Sequence, residues 1–376
     1  MEASDELQAC IALTLIPGMG DTLAKKCISA MGSAQQVLQA GEGLLQQVYG
    51  VGSFLTQSIR KHRKQVLQRA EQEVEFVLKH RIHAQVYYEQ EYPRRLKLCA
   101  DGPVVLFARG KMEPDKGYAL GIVGTRNITP YGAAITAEII RELIPYQPLV
   151  VSGLAFGVDI HAHRAAMEHG LQTIASMAHG MDMLYPKSHR KYARRIMEHG
   201  GLVTDFLSNT IPEKENFVKR NRIIAGLSDA VLVIESAEKG GSLITADLAQ
   251  GYNRDVLAVP GKAGDTYSRG CNQLIRNHQA ALVTSGKEVA ETLMWVLPEQ
   301  NKKKEVLQAA LFADLNKEEE ALMQALGTGD ALHVDYLSEK TGFTTPKVNG
   351  MLLTLELKGI VKGLPGSRFT ANVTAR

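Results

Sequence analysis

Four short segments place glycine, hydroxyl and cationic side chains where a chain leaving a β-strand turns into a helix, a setting suited to phosphate oxygens. The first is Gly124-Thr125-Arg126, between an apolar run ending at Val123 and a helix beginning near Pro130. Glycine permits close backbone approach, the threonine hydroxyl and following N–H groups can donate to an anion, and arginine adds a planar fork. The spacing is neither Gly-x-Gly-x-x-Gly nor a P-loop, so no dinucleotide or ATP cofactor is expected. A plain strand-to-helix turn accounts for Gly124 but leaves Arg126 unexplained. The second segment runs from Ser152-Gly153-Leu154-Ala155-Phe156-Gly157 through Asp159, His161 and His163. On a helix, residues two apart point about 200° apart, so the histidines share no face and no metal site is expected. Asp159 is instead expected to cap the helix, with the histidines in local polar contacts. Ser152 lacks the Gly-x-Ser-x-Gly frame of an activated nucleophile.

The third segment is basic: Lys214, Lys219, Arg220 and Arg222 surround Phe217, with Asn221 between the arginines. Over residues 187–222, nine cations against four anions leave +5, more than the whole chain's net +3. Cations around one aromatic ring suit a single strand, whose backbone follows the charge while a base stacks on the ring. Arg190 to Arg195 read better as a solvated helix face. The fourth segment, Lys239-Gly240-Gly241-Ser242, again follows a strand and opens a helix, with Ser242 expected to cap it. The last strand leads through Pro260-Gly261-Lys262 to Gly270-Cys271-Asn272. Loops from several strands thus converge on one edge, more than a single mononucleotide needs.

These segments need a sheet to hold them. Candidate strands are 104–107, 120–123, 149–151, 173–176, 202–204, 230–234, 256–259 and 281–283, mostly separated by helical stretches. That alternation predicts an α/β fold with a mostly parallel sheet and helices on both faces. Ligands of such sheets bind beyond the strands' carboxyl ends. Residues 1–80 read as a helical domain with two Gly-x-Gly turns, Gly18-Met19-Gly20 and Gly50-Val51-Gly52, each entering a helix. This is a helix-hairpin-helix pattern, which can seat a phosphate, but neither first turn carries a cation and plain packing is the competing reading. The 82–297 core is followed by a charged linker at 298–305. Residues 306–376 outline a winged helix, whose third helix offers Lys347 and Asn349 among Val348, Met351, Leu352, Leu353, Leu355 and Leu357, so that protein packing or weak docking competes with DNA reading there.

Length and composition set the bounds. The chain has 376 residues, 45% hydrophobic and 22% charged, which fits two or three ordinary globular domains. No apolar run is long enough to span a bilayer, and the acidic start, Met1 to Gln8, has no secretory pattern, so a cytoplasmic location is expected. Cys10, Cys27, Cys99 and Cys271 lack zinc-site spacing and are expected to be thiols.

Taken in order, Gly121-Ile-Val-Gly-Thr-Arg126, Ser152-Gly-Leu-Ala155, Gly180-Met-Asp182 with Tyr185-Pro186, Phe217 with Arg220-Asn-Arg-Ile-Ile-Ala-Gly226, Gly241-Ser-Leu-Ile-Thr-Ala246, Val259-Pro-Gly261 and Gly270-Cys-Asn272 with Leu274-Ile275 resemble the DNA processing protein A family, DprA or Smf. The resemblance covers residues 82–297 closely. It implies an extended Rossmann-like core flanked by a helical (helix-hairpin-helix or SAM-like) domain and a winged helix. It also implies a non-catalytic protein that binds and protects single-stranded DNA, dimerises through the core, and loads the recombinase RecA in natural transformation. Carried onto this chain, the resemblance implies backbone recognition by Gly124, Thr125 and Arg126, with Lys214, Phe217, Arg220, Asn221 and Arg222 completing the pocket; the loop residues Ser152, Gly153, Lys219, Gly240, Gly241, Ser242 and Lys262 fill out the expected DNA-binding set. Four or five phosphate contacts correspond to a salt slope of about −3. Phe156 stands where the family usually has a basic residue, so a phosphate contact there is missing or replaced by stacking. Gly240 stands where serine is commoner. The rival reading is a nucleotide-binding enzyme or sensor of the nucleoside monophosphate hydrolase type, against which stands the lack of a carboxylate between Gly240 and Asp247.

Overall fold

The computed structural model describes residues 2–297, 315–327, 331–358, 360–364 and 367–371. The chain divides into two compact units, 1–296 and 297–376. The proposed linker, 298–305, lies outside the described residues.

In the first unit, helices α1 (Glu2–Thr14), α2 (Asp21–Met31), α3 (Ala34–Gln39), α4 (Glu42–Leu45) and α5 (Ser53–Lys79) precede the sheet. The sheet elements then run β1 (His83–Val86), α6 (Arg94–Lys97), β2 (Val105–Gly110), β3 (Ala119–Val123), α7 (Pro130–Glu142), β4 (Leu149–Ser152), α8 (Val158–Glu168) and β5 (Thr173–Ser176). They continue with α9 (Arg190–His199), β6 (Gly201–Thr204), α10 (Lys214–Leu227), β7 (Ala230–Val233), α11 (Gly241–Gly251), β8 (Asp255–Ala258), α12 (Arg269–Arg276), β9 (Ala281–Leu282) and α13 (Gly286–Thr292).

The nine strands lie in the order β1-β2-β6-β5-β4-β3-β7-β8-β9, with only the β1–β2 and β2–β6 pairs antiparallel. The predicted strands are present, and β1 is added at the edge. From β3 the chain builds outward through β4 to β6, then returns to place β7 on the other side of β3, with Val123 opposite Val233. That reversal opens a crevice above the carboxyl ends of β3 and β7. Successive side chains on a strand face opposite ways, so Leu120 and Ile122 of β3 pack under α7 and α8, whereas Ala119 and Val123 pack under α10, α11 and α12. Burial on both faces explains the near-continuous apolar strands.

Helices α1 to α5 share a core with β1 and β2: Leu13, Leu55 and Val74 belong to the same buried cluster as Val86 and Phe107. The helix predicted from about 59 begins at Ser53, because Gly52 rather than a later residue breaks the chain. All four cysteines are buried free thiols, and burial pushes those of Cys10 and Cys271 up to about 12. No described helix is long and apolar enough to cross a membrane.

The second unit has helices at Lys317–Leu326, Val334–Thr341 and Thr345–Leu357, with strands β10 (Leu332–His333), β11 (Val361–Leu364) and β12 (Arg368–Ala371) ordered β10-β12-β11. Asn316 and Glu319 form a capping box on the first of these helices. Lys347, one of the two polar side chains marked on the third helix, is paired with Glu318 at 2.6 Å.

Candidate functional site

At the reversal of strand order lies a cleft of about 570 Å³, lined by the loops after β3, β4 and β7 and by one face of α10. Gly124 makes the first loop possible: a Cβ there would overlap Val158 of α8 and meet the Glu235 carbonyl at 2.9 Å. The loop is fixed through its backbone. The Thr125 N–H donates to the Glu235 carbonyl (2.7 Å), and the Thr125 carbonyl accepts from the Val158 N–H (3.1 Å). The Thr125 hydroxyl accepts from the Asn127 N–H at 3.1 Å, so that amide and the Thr125 amide are both engaged. Arg126 is exposed, and among the described residues it has no carboxylate in ion-pair range. Its guanidinium carbon lies 4.7 Å from the centre of the Phe217 ring.

Because 214–227 is a helix, its basic residues do not form one patch. Lys214, Phe217, Val218 and Asn221 share the cleft face, with Lys214 exposed at the helix start. Phe217 also meets Tyr185 edge-on, ring centres 6.0 Å apart. Asn221 Nδ2 donates to the Gly241 carbonyl at 3.4 Å, joining α10 to α11. Arg220 reaches the cleft wall but is buried. Its Nη1 donates to the carbonyls of Gly153 (2.7 Å) and Ser176, and a Cβ on Gly153 would overlap the guanidinium. Burial pulls this guanidinium down to about 10, with Asp159 opposing the shift, so it stays cationic at neutral pH. Arg220 therefore braces the loop after β4 against β5.

Four sequence expectations need correction. Arg222 turns away from the cleft into a buried ion pair with Asp205 and with Asp21 (3.0 Å), because helical periodicity points position 222 toward the N-terminal helices. Lys219 lies on that side too, 3.5 Å from Asp205 and 5.2 Å from the Phe206 ring centre. Ser242 is not a cap: Gly240 occupies the N-cap, and the buried Ser242 hydroxyl donates to Ser236 Oγ at 2.8 Å. Nor does Asp159 cap α8. Gly157, at φ +75°, is the N-cap, and Asp159 accepts from the Ala155 N–H (3.4 Å) before the helix begins.

The remaining candidates separate cleanly. Gly240 and Gly241 line the cleft at the start of α11 with no side chain capping them, and a Cβ on Gly241 would meet nothing within 4 Å. Ser152 is buried, its hydroxyl donating to the Ile122 carbonyl (2.6 Å), and so ties β4 to β3. Lys262 is exposed but outside the cleft lining. Two residues quoted in the sequence but left out of the expected DNA-binding set belong with the cleft. Lys239, exposed at its lip, directly precedes the glycine pair, and Tyr185, from the loop after β5, meets the cleft residue Phe217 edge-on.

The carboxylates near the cleft are committed. Glu235 accepts from the Thr129 N–H at 2.9 Å and from its hydroxyl, holding the start of α7. Burial raises Asp159, and Arg220 opposes that rise. His161 Nδ1 bonds the Gly157 carbonyl (2.8 Å), while His163 Nδ1 points into the sheet at Thr173 Oγ1 (2.7 Å). Among the described residues no group of three His, Cys, Asp or Glu is placed to hold a metal ion.

Burial, with Arg220 and His189 adding to it, pushes His163 down to about 3. The unfolded chain therefore takes up this proton near the ordinary 6.5 while the folded chain refuses it, so stability falls as pH drops from 6.5 toward 3. His163→Asn, which keeps a donor near Thr173, should lose that part of the acid sensitivity. Urea midpoints measured across this pH range for both proteins check it, and parallel profiles would refute the assignment.

A model of the DNA recombination-mediator protein A family matches residues 83–294, and one of the DprA winged helix domain matches 308–367. DNA processing protein DprA of Bacillus subtilis is 39% identical over 213 residues, 56% of this chain and 70% of that protein. Protein Smf of Escherichia coli is 34% identical over 286 residues, 73% and 74% of the two chains. The X-ray structure of DNA processing protein A from Streptococcus pneumoniae superposes with a TM-score of 0.64 at 30% identity, covering 73% of this chain and 94% of that one. DNA processing protein A from Helicobacter pylori, described for its single-stranded DNA binding mode, gives 0.51 at 28% identity over 57% and 95%.

Proposed function

The chain belongs to the DNA recombination-mediator protein A family, and on that premise we propose that its cleft grips the sugar-phosphate backbone of single-stranded DNA. The observation that carries this reading is the exposed Arg126 guanidinium set on the Phe217 ring at the mouth of the cleft. The charge is available to a phosphate, and the ring beside it offers a face or edge to a base. Lys214 and Lys239 extend the positive rim, and the uncapped start of α11 adds backbone N–H groups with a favourable dipole. No covalent step is needed. The engagement of Asp159 and Glu235 in holding loops supports a binder over a hydrolase.

In the same proposal the strand is protected and passed to RecA in recombination and natural transformation, and the protein works in the cytoplasm as a homodimer through its core. Family likeness supports these parts.

Three exposed cleft cations, Arg126, Lys214 and Lys239, in place of four or five contacts reduce the cleft's share of the salt slope to about −2. Arg126→Ala should weaken binding of unpaired oligonucleotides of any sequence by about 1.5 kcal/mol or more, roughly tenfold. It should also flatten the slope by about 0.7. Fluorescence anisotropy across a salt series reads both, and unchanged affinity in this variant would remove the proposal.

A further inference from the structure

Helix α5 is polarised along its length. Residues 53–70 contain Arg60, Lys61, Arg63, Lys64 and Arg69 but no Asp or Glu, whereas Glu71, Glu73 and Glu75 follow. The first four cations are exposed, and among the described residues only Arg60 has a carboxylate in reach, Glu42 at 3.6 Å. A helix face that serves solubility alone intersperses acids three or four residues from its bases. Here the neighbours at those spacings are neutral or basic, so the repulsion is left standing.

At the head of this face two large rings are bare: Tyr49 is 87% exposed and Phe54 71%. Lys26 Nζ lies 5.3 Å from the Tyr49 ring centre, adding a cation from α2. The turn carrying these rings is the second of the Gly-x-Gly pair. Gly18 (φ +87°) and Gly50 (φ +96°) adopt the left-handed backbone that each turn requires. Each turn packs on the helix that follows the other: a Cβ on Gly18 would meet the Phe54 ring at 3.0 Å, and one on Gly50 would meet Leu23 at 2.9 Å. Neither α2 nor α5 has a side-chain cap, and a Cβ on Gly20 or Gly52 would meet nothing within 4 Å. The acidic residue at the start of α2 is occupied elsewhere. Asp21 accepts from the Val104 N–H (3.0 Å) and pairs with Arg222.

We propose that this cationic face of α5, headed by Tyr49 and Phe54, is a second DNA site that binds the sugar-phosphate backbone without base preference and shares no residue with the Arg126–Phe217 cleft. Residues 60 to 64 span about 6 Å along the helix, so about two or three phosphates meet the four cations.

The test compares the full chain carrying Arg126→Ala with the same chain also carrying Arg60→Gln, Lys61→Gln, Arg63→Gln and Lys64→Gln. Glutamine keeps helix propensity, and matched circular dichroism and urea midpoints establish the fold. Each protein is titrated with an unpaired oligonucleotide and with its duplex over a salt series. The added substitutions should flatten the slope by about 1.4–2.1 for the single strand or about 1.8–2.7 for the duplex. A change confined to one form identifies that form as the occupant, and a change in both identifies the backbone shared by them. If the fourfold variant folds poorly, Lys61→Gln with Lys64→Gln should still flatten the single-strand slope by about 1.4. Identical slopes and affinities in the two proteins, or no binding of either oligonucleotide by the Arg126→Ala chain at low salt, would overturn the proposal.

Discussion

Arg222→Ala should cost about 3–5 kcal/mol of folding stability, the loss that follows when one partner of a buried ion pair is removed. The Arg222 side chain is 8% exposed and that of Asp205 3%, so truncation leaves a buried carboxylate with only the half-exposed Lys219 ammonium, 3.5 Å away, to balance it. Burial alone would pull the Arg222 guanidinium down, yet Asp205 and Asp21 outweigh it and hold it above its ordinary value. The same side chain donates to the Asp101 carbonyl, so one residue of α10 joins α2, the loop after α6 and the segment after β6. Arg222→Lys should recover only part of the loss, because an ammonium lacks the planar fork that reaches several acceptors at once. Urea denaturation measures the effect, and a loss below about 1 kcal/mol, the range of exposed pairs, would show that the pair is not buried in solution. Among molecules that remain folded, oligonucleotide affinity should be unchanged, since Arg222 does not line the cleft.

Phe217→Ala should weaken single-strand binding by about 1–3 kcal/mol, the range for a ring that stacks a base. The ring is half-buried between Arg126 and Tyr185, and its removal also frees the Arg126 guanidinium to move. Loss of a preset position for that charge makes the two residues a unit, so Arg126→Ala and Phe217→Ala should be non-additive, with the double variant little weaker than the worse single one. Phe217→Leu separates the causes: it fills much of the space but offers no π-face. If Leu binds as the wild type does, Phe217 acts as a support and the stacking assignment fails. Anisotropy titrations with short unpaired oligomers read the wild type and all four variants.

The strands and the loops that follow them were legible because their signals are local. Apolar β-branched runs such as Ala230–Val233 and glycines such as Gly124 state a backbone's needs within a few residues. The winged-helix outline was legible for the same reason, through helices bounded by Asn316 and Gly342 and followed by a β-prone tail. The fate of charged and hydroxyl side chains was not. Lys214, Lys219, Arg220 and Arg222 look alike in a row, yet α10 sends the first to the cleft, the third to the Gly153 carbonyl, and the second and fourth to Asp205. Arg222 also meets Asp21, about two hundred positions earlier in the chain, a contact no local pattern announces. Ser152 and Ser242 illustrate the same limit, since a serine beside glycine reads as a ligand until the fold buries its hydroxyl against a carbonyl or a second serine. Lys239, named with its loop but left out of the DNA-binding set, shows the opposite limit: one lysine on a loop carries no pattern of its own until β7 sets it at the crevice.

The central claim, that an unpaired strand lies along the switch-point cleft with a base against the Arg126–Phe217 pair, is tested most directly by photo-crosslinking. The full chain is irradiated with an unpaired oligonucleotide carrying iodouracil, and the adducts are mapped by peptide mass spectrometry. Adducts should fall on the peptides containing Phe217 and Tyr185, and Arg126→Ala should reduce them. Efficient crosslinking that spares both peptides would contradict the account.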